Sequence, residues 1–96
     1  VIESFGDSAT EDLYHGRDTN RVRHFPPTLK GVALRKLDML NAAHRLEDLR
    51  EPPGNRLEAL KGNLAGYYSI RVNDQWRIIF QWESNNAYVV SLTDYH

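Results

Sequence analysis

The sequence contains no cysteine. This excludes disulfide staples and thiolate metal sites, and it leaves no sign of an oxidising compartment. No apolar run approaches a membrane span or the core of a secretory leader. Neither sign of charge dominates, since 12 Lys and Arg stand against 13 Asp and Glu for a formal net charge of −1. The whole molecule is therefore not a basic polyelectrolyte. Strong nonspecific binding to nucleic acid is disfavoured, whereas a focused phosphate site is not. A glycine-rich phosphate loop, GxSxG and HExxH are all missing, and His15, His24, His44 and His96 do not stand at metal-ligand spacing. There is no internal repeat and no low-complexity stretch. The expectation is a soluble, intracellular protein without metal, cofactor or membrane contact.

What is present fits one domain, residues 1–96. A hydrophobic fraction of 41% and a charged fraction of 26% are near the globular average, so a modest core is available. Residues 1–5 alternate weakly and read as a short first strand. Asp7 or Ser8 can cap a helix reaching about Tyr14, and Gly16 ends it. Residues 17–27 show no clear period. This stretch, with Arg17, Arg21, Arg23 and His24, reads as a loop, either a solvated connector or a docking segment for an acidic or nucleic-acid partner. Leu29, Ala33, Leu37 and Leu40 recur at helical spacing and predict the longest helix, residues 28–43, with a further turn or two through Leu49. Pro52, Pro53 and Gly54 close the helical half.

The remainder reads as strands. Residues 57–60 are a short strand candidate, followed by a turn from Gly62 to Gly66. A three-residue loop at Asn73-Asp74-Gln75 sets Val72 against Trp76, Ile70 against Ile78 and Tyr68 against Phe80. That face is wholly apolar or aromatic, and Arg71 falls opposite Arg77 on the other. A two-residue loop at Asn73-Asp74 would scramble the faces. A second loop at Ser84-Asn85-Asn86 sets Trp82 against Tyr88, Phe80 against Val90 and Ile78 against Leu92. The predicted architecture is α+β, a small, mostly antiparallel sheet with two to three helices packed on one face and the other face partly open.

Arg71 opposite Arg77 is a like-charge pair, unfavourable by up to about 1 kcal/mol. Either nearby carboxylates neutralise it or an external anion does. Thr93 and Tyr95 share the parity of Arg77, His96 follows, and Lys61 precedes the Gly62 turn. Cleavage of RNA by its own 2′-hydroxyl needs a proton removed, a phosphorane stabilised and a leaving oxygen protonated. Arg and Lys suit the second task through multidentate charged hydrogen bonds. His suits proton transfer near neutral pH, and Tyr can stack on a base or position the hydroxyl.

Three stretches carry a family resemblance. They are Pro53-Gly54-Asn55-Arg56-Leu57-Glu58-Ala59-Leu60-Lys61-Gly62, then Tyr68-Ser69-Ile70-Arg71-Val72-Asn73-Asp74-Gln75-Trp76-Arg77-Ile78, and the terminal Asp94-Tyr95-His96. With Ile2-Glu3-Ser4-Phe5 they resemble the HigB branch of the RelE/ParE toxin superfamily over essentially the whole chain. The resemblance implies a RelE-like fold and a cytoplasmic bacterial toxin that cleaves mRNA in the A site of the 30S ribosomal subunit. It also implies a HigA-like helix-turn-helix antitoxin, through which alone operator DNA would be bound. Carried over by position, Lys61 and Arg77 match phosphate-binding residues, and Asp94, Tyr95 and His96 match the functional carboxyl end. Arg56 and Arg71 join Lys61 and Arg77 as RNA-binding candidates. Some relatives carry a catalytic histidine where this chain has Glu58, which leaves His96 as the proton-transfer group. The alternatives are a ParE-like gyrase poison and a purely protein-binding toxin, because one fold hosts several activities.

Overall fold

A computed structural model describes residues 1–94. The expectations for Tyr95 and His96 lie outside the described residues.

Helix α1 spans Ser8–Tyr14, and the Asp7 carboxylate caps it by accepting the Thr10 amide at 2.7 Å. Gly16 follows at φ 73°, a left-handed turn that ends the helix cheaply. The expected loop at 17–27 is in fact ordered around a four-residue helix, α2, Asn20–Arg23. One helical turn is too short to show a period. Its anchor is the buried Asp12, whose Oδ2 accepts from Thr19 Oγ1 at 2.9 Å and Arg21 Nε at 3.1 Å, while Oδ1 accepts from Arg17 at 3.2 Å. Burial alone would raise the Asp12 pKa, but the hydrogen bonds from Thr19, Arg17 and Arg21 outweigh it and hold the carboxyl below its ordinary value. Arg23 pairs with Asp18 at 3.1 Å. The three arginines of this segment thus answer internal acids, and Val22 and Phe25 turn into the core.

Helix α3 spans Pro27–Ala42, with proline in its first turn and Leu29, Ala33, Leu37 and Leu40 buried as the spacing requires. A 3₁₀ turn, Leu46–Arg50, follows, its start fixed by the Asp48 carboxylate accepting the His44 and Arg45 amides at 3.0 Å each. A second, Pro53–Asn55, leads to the sheet.

The sheet has four strands in sequential antiparallel order: β1 (Glu58–Ala59), β2 (Tyr67–Arg71), β3 (Trp76–Glu83) and β4 (Asn86–Asp94). The first hairpin adopts the expected register, with Tyr68 opposite Phe80, Ile70 opposite Ile78 and Arg71 opposite Arg77. Val72 donates to the Trp76 carbonyl at 2.9 Å and closes the three-residue loop. The second hairpin departs from expectation. Ile78 does face Leu92, but Trp82 faces Ala87 rather than Tyr88. The loop is two residues, Ser84 and Asn85, both left-handed at φ 51° and 64°, a conformation that matches the strand twist. The residue gained is absorbed by a register shift between Ile79 and Gln81, where Val89 of β4 sits at φ 54°.

Residues 1–6 run alongside β4 through parallel bridges from Ile2 to Ala87 and Phe5 to Val90. Four backbone bonds of 2.8–3.1 Å stitch this segment down, and Thr10 Oγ1 accepts the Leu92 amide at 2.9 Å. That sheet edge is covered, which protects it from pairing with other chains. Leu13, Leu29, Leu37 and Leu40 pack with Ile70, Ile78, Phe80 and Val90 in one core, so the helices lie on the apolar sheet face. Among the described residues no helix is long and apolar enough to cross a membrane.

Candidate functional site

Alternation places Ser69, Arg71, Arg77 and Thr93 on the sheet face away from α3, with Thr93 directly across from Arg77. The parity is as expected, but the exposure of Arg77 is not, since only 8% of it is accessible. Its guanidinium lies back over the sheet toward β1. Nε donates to Ser69 Oγ at 2.9 Å, and Nη2 donates to the Arg56 carbonyl at 2.9 Å. Glu58 Oε1 stands 3.7 Å from Nη2, an ion pair without a direct hydrogen bond. Among the described residues these close acceptors, a serine hydroxyl and a backbone carbonyl, are neutral oxygens that orient the cation without supplying a counter-charge.

Arg71 turns the other way and pairs with the Asp74 carboxylate in the hairpin loop. The like-charge opposition is therefore met by carboxylates on both sides, Asp74 for Arg71 and Glu58 for Arg77. Neither pair is deep, because the Asp74 side chain is 98% exposed and that of Glu58 52%. An exposed pair such as Arg71–Asp74 is worth about 0–1 kcal/mol, so a polyanion can displace that carboxylate.

The remaining candidates spread along the sheet. Arg56 is exposed and left-handed at φ 46°, which turns its carbonyl to Arg77. Lys61 is exposed at the β1–β2 connection, next to Leu60, whose amide donates to the Tyr67 carbonyl at 2.8 Å. Lys61 lies just past one end of β2 and Arg71 at the other, on the order of 17 Å apart along the strand at its rise per residue. Arg77 stands directly opposite Arg71 and bonds the Arg56 carbonyl, so these three residues gather toward one end of the sheet and Lys61 stands toward the other. Asp94 lies at the end of β4 opposite Trp76, and its Oδ2 accepts from Gln75 Nε2 at 3.0 Å.

Sequence reasoning missed three participants. Ser69 is buried and holds Arg77, and its parity with Arg77 in the predicted register was the available signal. Asn55 and Lys36 meet through Asn55 Oδ1 and Lys36 Nζ, a contact across 19 residues that no local pattern announces. Burial, with the charges of Arg35 and Arg71 adding to it, pulls the Lys36 pKa below its ordinary value. Among the described residues no three His, Cys, Asp or Glu side chains gather to hold a metal ion.

Residues 3–96 match the family of HigB-like toxins, described as RelE-like toxins of type II toxin–antitoxin systems. This chain belongs to that family. Toxin HigB-1 of Vibrio cholerae is 50% identical over 78 residues, covering 81% of this chain and 80% of its own. Endoribonuclease HigB of Proteus vulgaris is 35% identical over 72 residues, covering 69% of this chain and 78% of its own. Among solved structures, the YoeB–YefM complex of Staphylococcus aureus superposes with a TM-score of 0.61 at 22% identity, over 100% of this chain and 98% of that one. That likeness bears on the fold, which is the α+β architecture of this HigB-like chain.

Proposed function

We propose that this HigB-like toxin is a ribosome-dependent endonuclease that cuts mRNA in the A site and so arrests translation and growth in the bacterial cytoplasm. The observation that carries the reading is the Arg77 guanidinium held by Ser69 and the Arg56 carbonyl, opposite Arg71 on the sheet face away from α3. A preoriented cation needs no reorganisation when charge builds on a phosphorane, and such donors supply a large share of catalysis. Arg77 and Lys61 take the phosphoryl oxygens, while Arg56 and Arg71 hold the flanking backbone. His96 moves the proton, Tyr95 positions the 2′-hydroxyl or stacks on a base, and Asp94 completes the terminal group. The endoribonuclease name of the Proteus vulgaris relative supports the same chemistry.

The net charge of −1 supports a reading in which the ribosome shares the work. A few local cations compete poorly with salt for a free polyanion, so naked RNA is a poor substrate and the ribosome supplies positioning. Neutralisation falls to a HigA-like helix-turn-helix antitoxin, whose complex with the toxin binds operator DNA through the antitoxin.

The test is expression of Lys61→Ala, Arg77→Ala and a variant lacking His96, followed by primer extension on cellular mRNA. Loss of growth arrest together with loss of new 5′ ends is expected. Three variants that arrest growth and cut mRNA like the parent would overturn the site. Arrest by the parent without new 5′ ends would point instead to a gyrase-type target.

A further inference from the structure

The Arg56 carbonyl is an unusual support for a functional cation, because a loop has to be held still for it to serve. Arg56 adopts φ 46° and ψ 56°, a left-handed backbone that non-glycine residues rarely take. Its amide is tied to the Pro53 carbonyl at 3.1 Å. The residue before it, Asn55, is fully buried. The Asn55 side-chain Nδ2 donates to the Leu49 carbonyl at 3.1 Å, lies 3.5 Å from the Glu51 carbonyl and is 3.0 Å from Met39 Sδ. Its Oδ1 accepts from Lys36 Nζ of α3. One side chain therefore joins the long helix, the 3₁₀ turn and the loop entering β1, and the next carbonyl along the chain is the Arg77 acceptor.

We propose that Asn55, seated by Lys36, is a positioning residue for Arg77, fixing the Arg56 carbonyl so that the guanidinium faces the substrate phosphate. Its catalytic consequence rests on the endonuclease reading above, whereas the orientation of Arg77 can be measured without it. The variants are Asn55→Ala, Lys36→Met and Lys36→Arg, compared with Arg77→Ala. The first measurement is the side-chain Nε–Hε and Nη spectrum of Arg77, assigned by its loss in Arg77→Ala. In the parent the bond to the Arg56 carbonyl slows rotation of the guanidinium. Asn55→Ala and Lys36→Met are expected to release it, and Lys36→Arg, which keeps a cationic donor, to restore it.

The second measurement is single-turnover mRNA cleavage on programmed ribosomes. Misplacing a catalytic group from a distance slows reaction by up to about 100-fold, so Asn55→Ala should lose roughly 10- to 100-fold in rate with ribosome affinity within about twofold of the parent. Combined with Arg77→Ala, it should cost no further rate. Should Asn55→Ala not fold, Lys36→Met carries the comparison, since its side chain is only half-buried. An unchanged Arg77 spectrum, or rate losses that multiply in the double variant, would overturn the proposal. If the parent itself does not cleave, the endonuclease reading falls, and the guanidinium spectrum alone decides whether Asn55 sets Arg77.

Discussion

Replacing Ser69 by alanine removes the oxygen that accepts the Arg77 Nε–H. Both partners are buried, Ser69 at 0% and Arg77 at 8% exposure. A hydrogen bond to a charged group contributes about 1.5–3 kcal/mol, more than a neutral pair, and a buried donor left behind carries its desolvation. For 96 residues, an unfolding entropy of about 2.1 cal/mol/K per residue sums to roughly 0.2 kcal/mol/K near 60 °C. Ser69→Ala should therefore lower Tm by roughly 7–15 °C in circular dichroism or calorimetric melts. The double-mutant cycle with Arg77→Met isolates the pair. Once the guanidinium is gone, Ser69→Ala should cost less than about 0.5 kcal/mol, because the hydroxyl has lost its charged partner. A single-variant Tm within about 2 °C of the parent, or full additivity in the cycle, would refute the claim that Ser69 holds Arg77.

Gly6→Ala should destabilise by about 1–3 kcal/mol in urea melts, since a Cβ there would meet Ser91 Oγ at 2.1 Å and the Val89 carbonyl at 3.1 Å. Adding Ser91→Ala should recover only part of the loss, because the backbone contact stays. Asn85→Gly should shift stability by less than about 0.5 kcal/mol in the same melts, because glycine fits the left-handed turn position but adds entropy to the unfolded chain. Acid titration should expose Asp12. Its folded pKa lies below the ordinary 3.8, so the unfolded chain binds the proton first and stability is present above that value. Stability should fall as pH drops through 3.8 and on through the folded value. Asp12→Asn should flatten that acid limb in pH-dependent melts, and an unchanged limb would contradict the role of Asp12 as the anchor of α2.

The legible parts of the fold are those where local chemistry and long-range burial agree. Asp7, Gly16 and the Leu29–Leu40 spacing announced α1 and α3 because caps and stripes are encoded within a few residues. The first hairpin was readable because the three-residue loop sets Tyr68 and Ile70 against Phe80 and Ile78, whereas a two-residue loop would set Ile70 against Arg77. The second was misread at its tip, because an apolar count cannot tell a three-residue loop from a two-residue turn plus a bulge at Val89. Helix α2 escaped because its cause is Asp12, a residue outside it. In the site, parity named the face of Arg71 and Arg77 and found the like-charge pair. It could not foresee that Arg77 would be covered, since the covering oxygen belongs to a loop 21 residues away.

The four strands are joined in sequence order, whereas the segment stitched to β4 reaches it across a separation of 85 residues. Loop closure penalises the second connection far more than the first. On this ground the meander should zip from its own turns, and the amino-terminal ribbon should be the seam that closes late.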